Sequence, residues 1–211
     1  IHGAQAQDPG FKCSPTMYYA SSGPLGQPLL GIQSAKPAAR IGIVGQGAGA
    51  MAAYKRAEDQ MTFFEIDPMM DRASRDPQWF SFISDCADGP INTVIGDARL
   101  TMAKEPKGSF DYLLIDAFSS DAVPTHLLTR EAIEGYMSLV KPDGLVVLHL
   151  SNRNLEITNP AYAAAQDLGL VGLHQLYYPA PGTANLADAA TEAVVLSRSP
   201  EALAYLKAKG G

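Results

Sequence analysis

The sequence predicts an α/β fold in which a mostly parallel, seven-stranded sheet is covered by helices on both faces. From Arg40 onward, short apolar segments alternate with segments of helical character, which is typical of parallel sheets. The first of these strands runs into three closely spaced glycines, and several later strands end in an acidic or polar residue. Because ligands of open α/β sheets bind at the carboxyl ends of the strands, this pattern predicts a binding site at that edge.

The elements follow one another in a regular order. Strands are expected at Ile41–Val44, Thr62–Ile66, Asn92–Ile95, Tyr112–Ile115, Leu145–Leu150, Val171–Tyr177 and Glu192–Ser197. Helices are expected at Gly49–Ala57, Pro68–Ser74, Ala98–Lys104, Thr125–Leu139, Pro160–Leu168 and Pro200–Ala208. Thr125 is a candidate N-cap, and Pro142 with Gly144 is a stop signal. Residues 41–211 are therefore predicted to form the ligand-binding, Rossmann-like domain.

Residues 1–40 differ in composition from the rest of the chain. They are rich in Gly, Pro, Ser and Gln and contain turn-like stretches such as Asp8-Pro9-Gly10. Such a composition favours short extended segments or a small hairpin over helices. We therefore predict a short extended N-terminal segment ahead of the domain.

Composition excludes several classes of protein. A formal net charge of −6 argues against nucleic acid as a partner, because phosphate binding needs a clustered basic surface. No apolar run is long enough to span a bilayer. Cys13 and Cys86 have no metal-ligand or redox spacing, so two unpaired thiols in a reducing, cytoplasmic location are expected. The chain begins at Ile1, which leaves open a longer protein with a membrane segment ahead of it.

The segment from Ile41 to Ala50 predicts an adenosine-containing cofactor. Gly45, Gly47 and Gly49 permit a tight turn and a close approach of the backbone, and the following helix start offers unpaired N–H groups. Glu65 ends the second strand, and its carboxylate can accept from two ribose hydroxyls. Because this spacing also fits the dinucleotide fingerprint, NAD stays open at this point.

The third strand distinguishes between the two cofactors. It ends in Gly96-Asp97-Ala98, and an acid there can accept a hydrogen bond from an adenine amino group. That arrangement favours an S-adenosylmethionine-type ligand over NAD. The predicted cofactor-binding residues are Gly45, Gln46, Gly47, Gly49, Glu65, Ile66, Asp97, Ala98 and Asp116.

Several motifs together resemble the spermidine synthase (polyamine aminopropyltransferase) family, a branch of the class I methyltransferase-like fold. They are Ile43-Val44-Gly45-Gln46-Gly47-Ala48-Gly49, Phe64-Glu65-Ile66-Asp67-Pro68, Gly96-Asp97-Ala98, the stretch from Phe110 to Asp121, and Leu139-Val140-Lys141-Pro142-Asp143-Gly144. The chain looks most like divergent bacterial members, many of which are joined to a membrane transporter-like segment.

The resemblance implies a role for each matching residue. Glu65 would hold the ribose, and Asp97 with Ala98 would contact the adenine. Asp116 would orient and deprotonate the attacking amine, with Asp121 as a second catalytic acid. The implied substrate-binding residues are Gln5, Tyr18, Tyr19, His149, Tyr177 and Tyr178. The cofactor would be S-adenosylmethionine or its decarboxylated form, with methylthioadenosine as the product. The acceptor would be a small-molecule amine, and the resemblance leaves open that the protein forms a homodimer.

Three departures from the family keep other reactions open. Ala48 stands in the glycine loop where aminopropyltransferases carry an Asp, and Tyr18-Tyr19-Ala20 lacks an expected acid. The Asp-x-x-Asp spacing of the family is stretched, because Ala-Phe-Ser-Ser separates Asp116 from Asp121. The alternatives are a methyltransferase, a lyase or cyclase acting on intact S-adenosylmethionine, and a non-catalytic adenosine sensor of a membrane fusion protein. The histidines show no metal-ligand spacing, so no metal is predicted.

Overall fold

Seven strands form a single sheet in the computed structural model, which describes residues 3–117, 125–151, 157–179, 188–204 and 206. The strands are β1 (Arg40–Val44), β2 (Gln60–Glu65), β3 (Asn92–Ile95), β4 (Phe110–Ile115), β5 (Val140–His149), β6 (Val171–Tyr177) and β7 (Thr191–Ser197). Their order across the sheet is β3-β2-β1-β4-β5-β7-β6, and β7 runs antiparallel to its two neighbours. The predicted mostly parallel sheet is confirmed.

Helices and short helical turns cover both faces of this sheet. The α-helices are α1 (Gly26–Ala35), α2 (Pro68–Arg75), α3 (Ala98–Met102), α4 (Arg130–Leu139) and α5 (Thr158–Asp167). Short 3-10 turns lie at Met17–Tyr19, Ala50–Tyr54, Thr125–Leu127 and Glu201–Leu203, and a π turn lies at Phe82–Cys86. One buried apolar cluster joins α1 to its face of the sheet, and a second joins α4 and α5 to the other.

The chain order reverses in the middle of the sheet, between β1 and β4. From β1 the chain steps outward through β2 to β3, and it then returns to place β4 on the other side of β1. Such a reversal leaves a crevice above the carboxyl ends of the two strands, where open α/β sheets bind their ligands. The fold therefore places the candidate site above Val44 and Ile115.

The prediction for residues 1–40 is wrong in one part, because Gly26–Ala35 form the helix α1. Leu25, Leu29 and Ile32 recur at helical spacing, and all three are buried in the core. Pro28 lies in the first turn, where its missing N–H costs no helical hydrogen bond. Burial of this apolar stripe outweighs the turn character of the surrounding glycines and proline. The division of the chain at residue 40 stays a prediction.

Other elements differ from the prediction at their boundaries. The helix expected after the glycine loop is a short 3-10 turn, Ala50–Tyr54. Thr129 rather than Thr125 is the N-cap of α4, because its hydroxyl accepts from the Ala132 N–H at 3.2 Å. The helix α4 ends at Leu139, just before the predicted stop signal, and Pro142 and Gly144 themselves lie inside β5. In the described part of the chain, no helix is long and apolar enough to cross a membrane.

Candidate active site

A cavity of about 1230 Å³ opens along the carboxyl edge of the sheet. We divide its lining into two walls. The β1–β3 wall consists of Gly45, Gly47, Glu65, Ile66, Gly96, Asp97 and Ala98. The β4–β7 wall consists of Asp116, His149, Ser151, Thr191 and Glu192, together with Tyr18 and Tyr19 from the N-terminal segment. The cavity exceeds the usual size of a site for one small molecule, so it has room for a cofactor and a second substrate.

The glycine loop joins the two walls. Gly45 has a φ of +89°, and a Cβ at this position would overlap the carbonyl oxygen of Asp116. Glycine is therefore required where the ends of β1 and β4 meet. Gly47, with a φ of +50°, also lines the cavity. Gly49 has a φ of +80° and packs toward Ile83 instead.

The side chain of Gln46 is directed away from the cavity. Its amide nitrogen donates to Asp71 Oδ1 (3.0 Å) and Ser74 Oγ (2.5 Å), and its amide oxygen accepts from Thr93 Oγ1 (3.0 Å). These bonds fasten the glycine loop to α2 and β3. A direct contact of Gln46 with a cofactor stays a prediction.

Glu65 is held rigidly at the end of β2. Its Oε2 accepts from the Gln46 N–H at 2.8 Å, and its Oε1 accepts from the Asp67 N–H at 2.9 Å. The side chain is 7% exposed and lines the cavity. Because an ionised carboxylate offers about four acceptor positions, two stay available for hydroxyl donors such as those of a ribose.

The end of β3 contributes a helix-capping acid that lies beside an exposed apolar side chain. Asp97 is the N-cap of α3, with Oδ1 accepting from the Arg99 N–H at 2.9 Å and the Leu100 N–H at 3.2 Å. Asp97 and Ala98 line the cavity next to Ile66, whose side chain is 70% exposed. An exposed isoleucine can pack against the face of a flat ring while the fixed acid accepts a hydrogen bond from the polar edge of that ring.

Asp116 lies at the centre of the β4–β7 wall, just beyond the end of β4. Its Oδ1 is 2.5 Å from His149 Nδ1, and its Oδ2 accepts from the hydroxyl of Tyr19 at 2.6 Å. Burial, followed by the charge of Asp116, raises the pKa of Tyr19 well above its ordinary value. Tyr19 therefore stays protonated and acts as a hydrogen-bond donor.

His149 extends this network along the wall. Its Nε2 lies 2.8 Å from Ser151 Oγ, and the Glu192 N–H donates to the same oxygen at 2.8 Å. The ring of Tyr18 lies 5.0 Å from the imidazole ring, which is 2% exposed. Asp116, His149 and Ser151 thus form a connected chain of hydrogen bonds on the cavity surface.

Glu192 supplies a further acid on the same wall. Its Oε1 accepts from Thr158 Oγ1 at 2.7 Å and from His174 Nε2 at 2.9 Å. Together with Glu65, Asp97 and Asp116 it gives the cavity four carboxylates, whereas no Lys or Arg is present among the described lining residues. Such a lining attracts cations.

Sequence reasoning missed Ser151 and Glu192. Ser151 follows His149 by two residues and so lies on the same side of an extended chain, which is a signal that the sequence contains. Glu192 was predicted only as the start of a strand. Its proximity to the site results from the antiparallel return of β7 beside β5.

The other predicted substrate residues have different surroundings. Tyr178 lines the cavity and is 68% exposed. Tyr177 instead donates its hydroxyl hydrogen to Asp188 Oδ2 at 2.7 Å. Gln5 binds Ser81 through both ends of its amide and does not line the cavity. Asp121 lies outside the described residues. In the described ranges, no group of three or more His, Cys, Asp or Glu side chains could hold a metal ion.

The prediction of two unpaired thiols is wrong, because Cys13 and Cys86 form a disulfide. The α/β topology brings the N-terminal segment onto the π turn, although 73 residues separate the two cysteines. An ion pair between Lys12 and Asp85 (2.5 Å) lies beside the bond. Since disulfides are rare in the cytoplasm, this bond argues against the reducing compartment expected from the sequence.

Comparisons with known proteins agree with the α/β fold described above. No family model matches the chain. A polyamine aminopropyltransferase of Vibrio vulnificus (strain CMCP6) is 30% identical over 113 residues, which cover 51% of this chain and only 36% of that protein. This chain thus aligns with little more than a third of that relative's length.

Solved structures extend the comparison to most of the chain. A probable spermidine synthase from Corynebacterium glutamicum ATCC 13032 matches 81% of this chain and 62% of its own, with a TM-score of 0.59 and 22% identity. Human methyltransferase-like protein 13, solved in complex with SAH, matches 86% of this chain and 84% of its own, with a TM-score of 0.59 and 17% identity. The chain has a spermidine synthase-like, class I methyltransferase-like fold.

Proposed function

We propose that this chain is a transferase that uses an S-adenosylmethionine-type sulfonium, and that it transfers an aminopropyl group to a small-molecule amine. The observation that carries the proposal is the charge of the cavity. Four carboxylates and no described Lys or Arg line it. A sulfonium and an ammonium are both cations, and such a lining stabilises both of them.

The β1–β3 wall has the chemistry for the adenosine half of the cofactor. Glu65 has acceptor positions for ribose hydroxyls, and Asp97 with the exposed Ile66 suits the edge and face of an adenine ring. The SAH-bound human methyltransferase-like protein 13 shares this fold. This fit supports a ligand of the adenosylmethionine type.

The β4–β7 wall has the chemistry for the acceptor. Displacement at the carbon beside a sulfonium needs an amine with a free lone pair, correctly aligned with the C–S bond. Asp116 would attract the ammonium, while its bonds to Tyr19 and His149 keep it in a fixed orientation. The new N–C bond forms as the C–S bond breaks, and neutral methylthioadenosine leaves.

Ala48 favours a second candidate function, a methyl transfer, elimination or cyclisation of intact S-adenosylmethionine. The residue is 4% exposed and does not line the cavity. A Cβ on Gly3 would lie 2.7 Å from the Ala48 Cβ, so the N-terminal segment occupies the space that a larger side chain would need. The glycine loop therefore offers no acid to the amine of a decarboxylated cofactor.

Calorimetry combined with a product assay distinguishes these functions. Aminopropyl transfer requires binding of decarboxylated S-adenosylmethionine and release of methylthioadenosine that depends on an added diamine such as putrescine. Release from intact S-adenosylmethionine without any amine would overturn it in favour of a lyase. Binding without turnover, unchanged by Asp116→Asn, would instead favour the non-catalytic sensor.

A further inference from the structure

We propose that Ser151 and His149 remove the proton from the acceptor ammonium, and that Asp116 acts as the residue that positions His149. The inference rests on the proposed transfer to an amine. Both carboxylate oxygens of Asp116 are already bonded, one to Tyr19 and one to His149. A carboxylate bound in this way orients a histidine, as in other Asp–His pairs, more readily than it accepts a proton from a substrate.

The hydrogen-bond network assigns the imidazole tautomer. An ionised carboxylate only accepts, so the hydrogen between Asp116 Oδ1 and His149 Nδ1 belongs to the imidazole. In a neutral imidazole the other nitrogen, Nε2, is then an acceptor. The hydroxyl of Ser151, 2.8 Å away, donates to it.

Ser151 has one further position for a substrate. Its Oγ donates its hydrogen to His149, and one lone pair accepts from the Glu192 N–H. A hydroxyl oxygen has two lone pairs, which leaves the second for a donor in the cavity that Ser151 lines. An ammonium N–H of the acceptor fits this position.

The charged and titratable groups around His149 support a role in proton transfer. Among the described residues, Asp116 faces it from the end of β4, and Tyr18 and Tyr19 face it from the N-terminal segment. Glu192 of β7 contributes a backbone N–H to Ser151, while its carboxylate is bonded to Thr158 and His174. Asp116 is the anion that stabilises the imidazolium.

The ammonium proton passes to Ser151 Oγ as the Ser151 hydroxyl proton passes to His149 Nε2, so the serine is unchanged and an imidazolium forms beside Asp116. The freed lone pair of the amine forms the N–C bond. The electrons of the breaking C–S bond neutralise the sulfonium, and methylthioadenosine leaves.

Kinetics of three variants and one control variant test the relay. Ser151→Ala is expected to lower kcat about 100-fold at pH 7 with little change in the KM of the cofactor, and Ser151→Thr, which keeps a hydroxyl, should restore most of it. His149→Gln, which removes the imidazole that accepts the proton, should lower kcat by a similar factor. Ser34→Ala, on the exposed side of α1, is the matched serine control. A Ser151→Ala enzyme with wild-type kcat overturns the relay.

A second measurement does not depend on turnover. Long-range ¹H–¹⁵N spectra of the wild-type protein should show His149 protonated at Nδ1 and unprotonated at Nε2 near neutral pH, and Ser151→Ala should shift the Nε2 signal. A proton on Nε2 in the resting protein would overturn the relay even if the enzyme is active. Absence of any amine-dependent turnover by the wild type, with the expected tautomer present, would instead count against the proposed function.

Discussion

The two walls of the cavity are built from the chain in different ways. The β1–β3 wall comes from one stretch, residues 40–98, in which three strands follow one another in sequence. The β4–β7 wall combines the N-terminal segment, the end of β4, the end of β5 and the start of β7. Backbone N–H groups and caps fix the acids of the first wall, whereas side chains distant in sequence fix those of the second.

This difference implies that a change in the protein can impair ligand binding at one wall and leave the other wall intact. A contiguous wall depends on local turns, so it should tolerate changes elsewhere in the chain. An assembled wall depends on how the N-terminal segment and β7 are held against the sheet. Each experiment below therefore compares ligand binding at one wall with binding or turnover at the other.

The largest effect is expected for Asp116→Asn. An asparagine amide can donate to His149 Nδ1, which would reverse the imidazole tautomer and remove the negative charge. We expect kcat to fall about 1000-fold, within the range of general acid–base catalysis. The affinity for methylthioadenosine, measured by calorimetry, should change less than about threefold, because Glu65 and Asp97 are untouched. A comparable loss of methylthioadenosine binding would show that the walls are coupled.

The next effect is expected when the disulfide is removed. Cys13→Ser combined with Cys86→Ser should lower the free energy of unfolding by about 2–4 kcal/mol in urea denaturation, because the bond closes a long loop. The bond lies in the same N-terminal segment as Tyr18 and Tyr19, so amine-dependent turnover should suffer more than methylthioadenosine binding. A reductant should reproduce the loss in the wild type and leave the double variant unchanged. An intact mass that shows two free thiols in the non-reduced protein would contradict this prediction.

Glu65→Gln tests the β1–β3 wall. The Glu65 carboxylate accepts from the N–H groups of Gln46 and Asp67. In a glutamine the side-chain NH2 group would face one of these two N–H groups, and because both are donors that hydrogen bond would be lost. Loss of a hydrogen bond from a ribose hydroxyl to this charged acceptor costs about 1.5–3 kcal/mol, which corresponds to a decrease of about 10- to 150-fold in methylthioadenosine affinity. The KM of the amine should stay within about twofold. A matched change, Glu105→Gln, removes an acid bonded to Arg40 outside the cavity and should leave both constants unchanged.

The smallest effect is expected for Glu192→Gln. Glutamine keeps an oxygen that can accept from Thr158 and His174, so the change removes mainly the charge. Because β7 lies two strands from β4, Glu192 is about 10 Å along the sheet from Asp116. The KM of a diamine should rise about three- to tenfold in steady-state assays, as expected for a partly exposed charge pair. An equal rise for a monoamine of similar length would assign Glu192 no role in binding the second nitrogen.

Local patterns account for the parts of the fold that were predicted correctly. The strand predicted at Asn92–Ile95 and the one at Val171–Tyr177 have the boundaries found in the structure. Short apolar runs bounded by glycine or acidic residues are strong signals, since strand burial and turn formation are both local. The helix α1 was missed because the prediction gave more weight to the turn character of the neighbouring glycines and proline than to the apolar spacing of Leu25, Leu29 and Ile32.

The candidate site was predicted to different degrees at its two walls. Gly45, Glu65 and Asp97 lie at the carboxyl ends of consecutive strands, so their convergence follows from a parallel sheet alone. Asp116 was also singled out, but its partners were not assigned. The bonds from Tyr19 and His149 to its two oxygens depend on segments 97 and 33 residues away in the chain.

By itself the sequence determined the α/β class, the glycine loop and the acids at the ends of the first strands, because each depends on residues close together in the chain. Only the tertiary structure decided that Cys13 pairs with Cys86, that Ala48 is covered by Gly3, and that Ser151 connects His149 to Glu192. These contacts depend on how the N-terminal segment and the antiparallel β7 return to the sheet. Periodicity and spacing describe what each segment becomes, but packing of the whole core selects which segments meet.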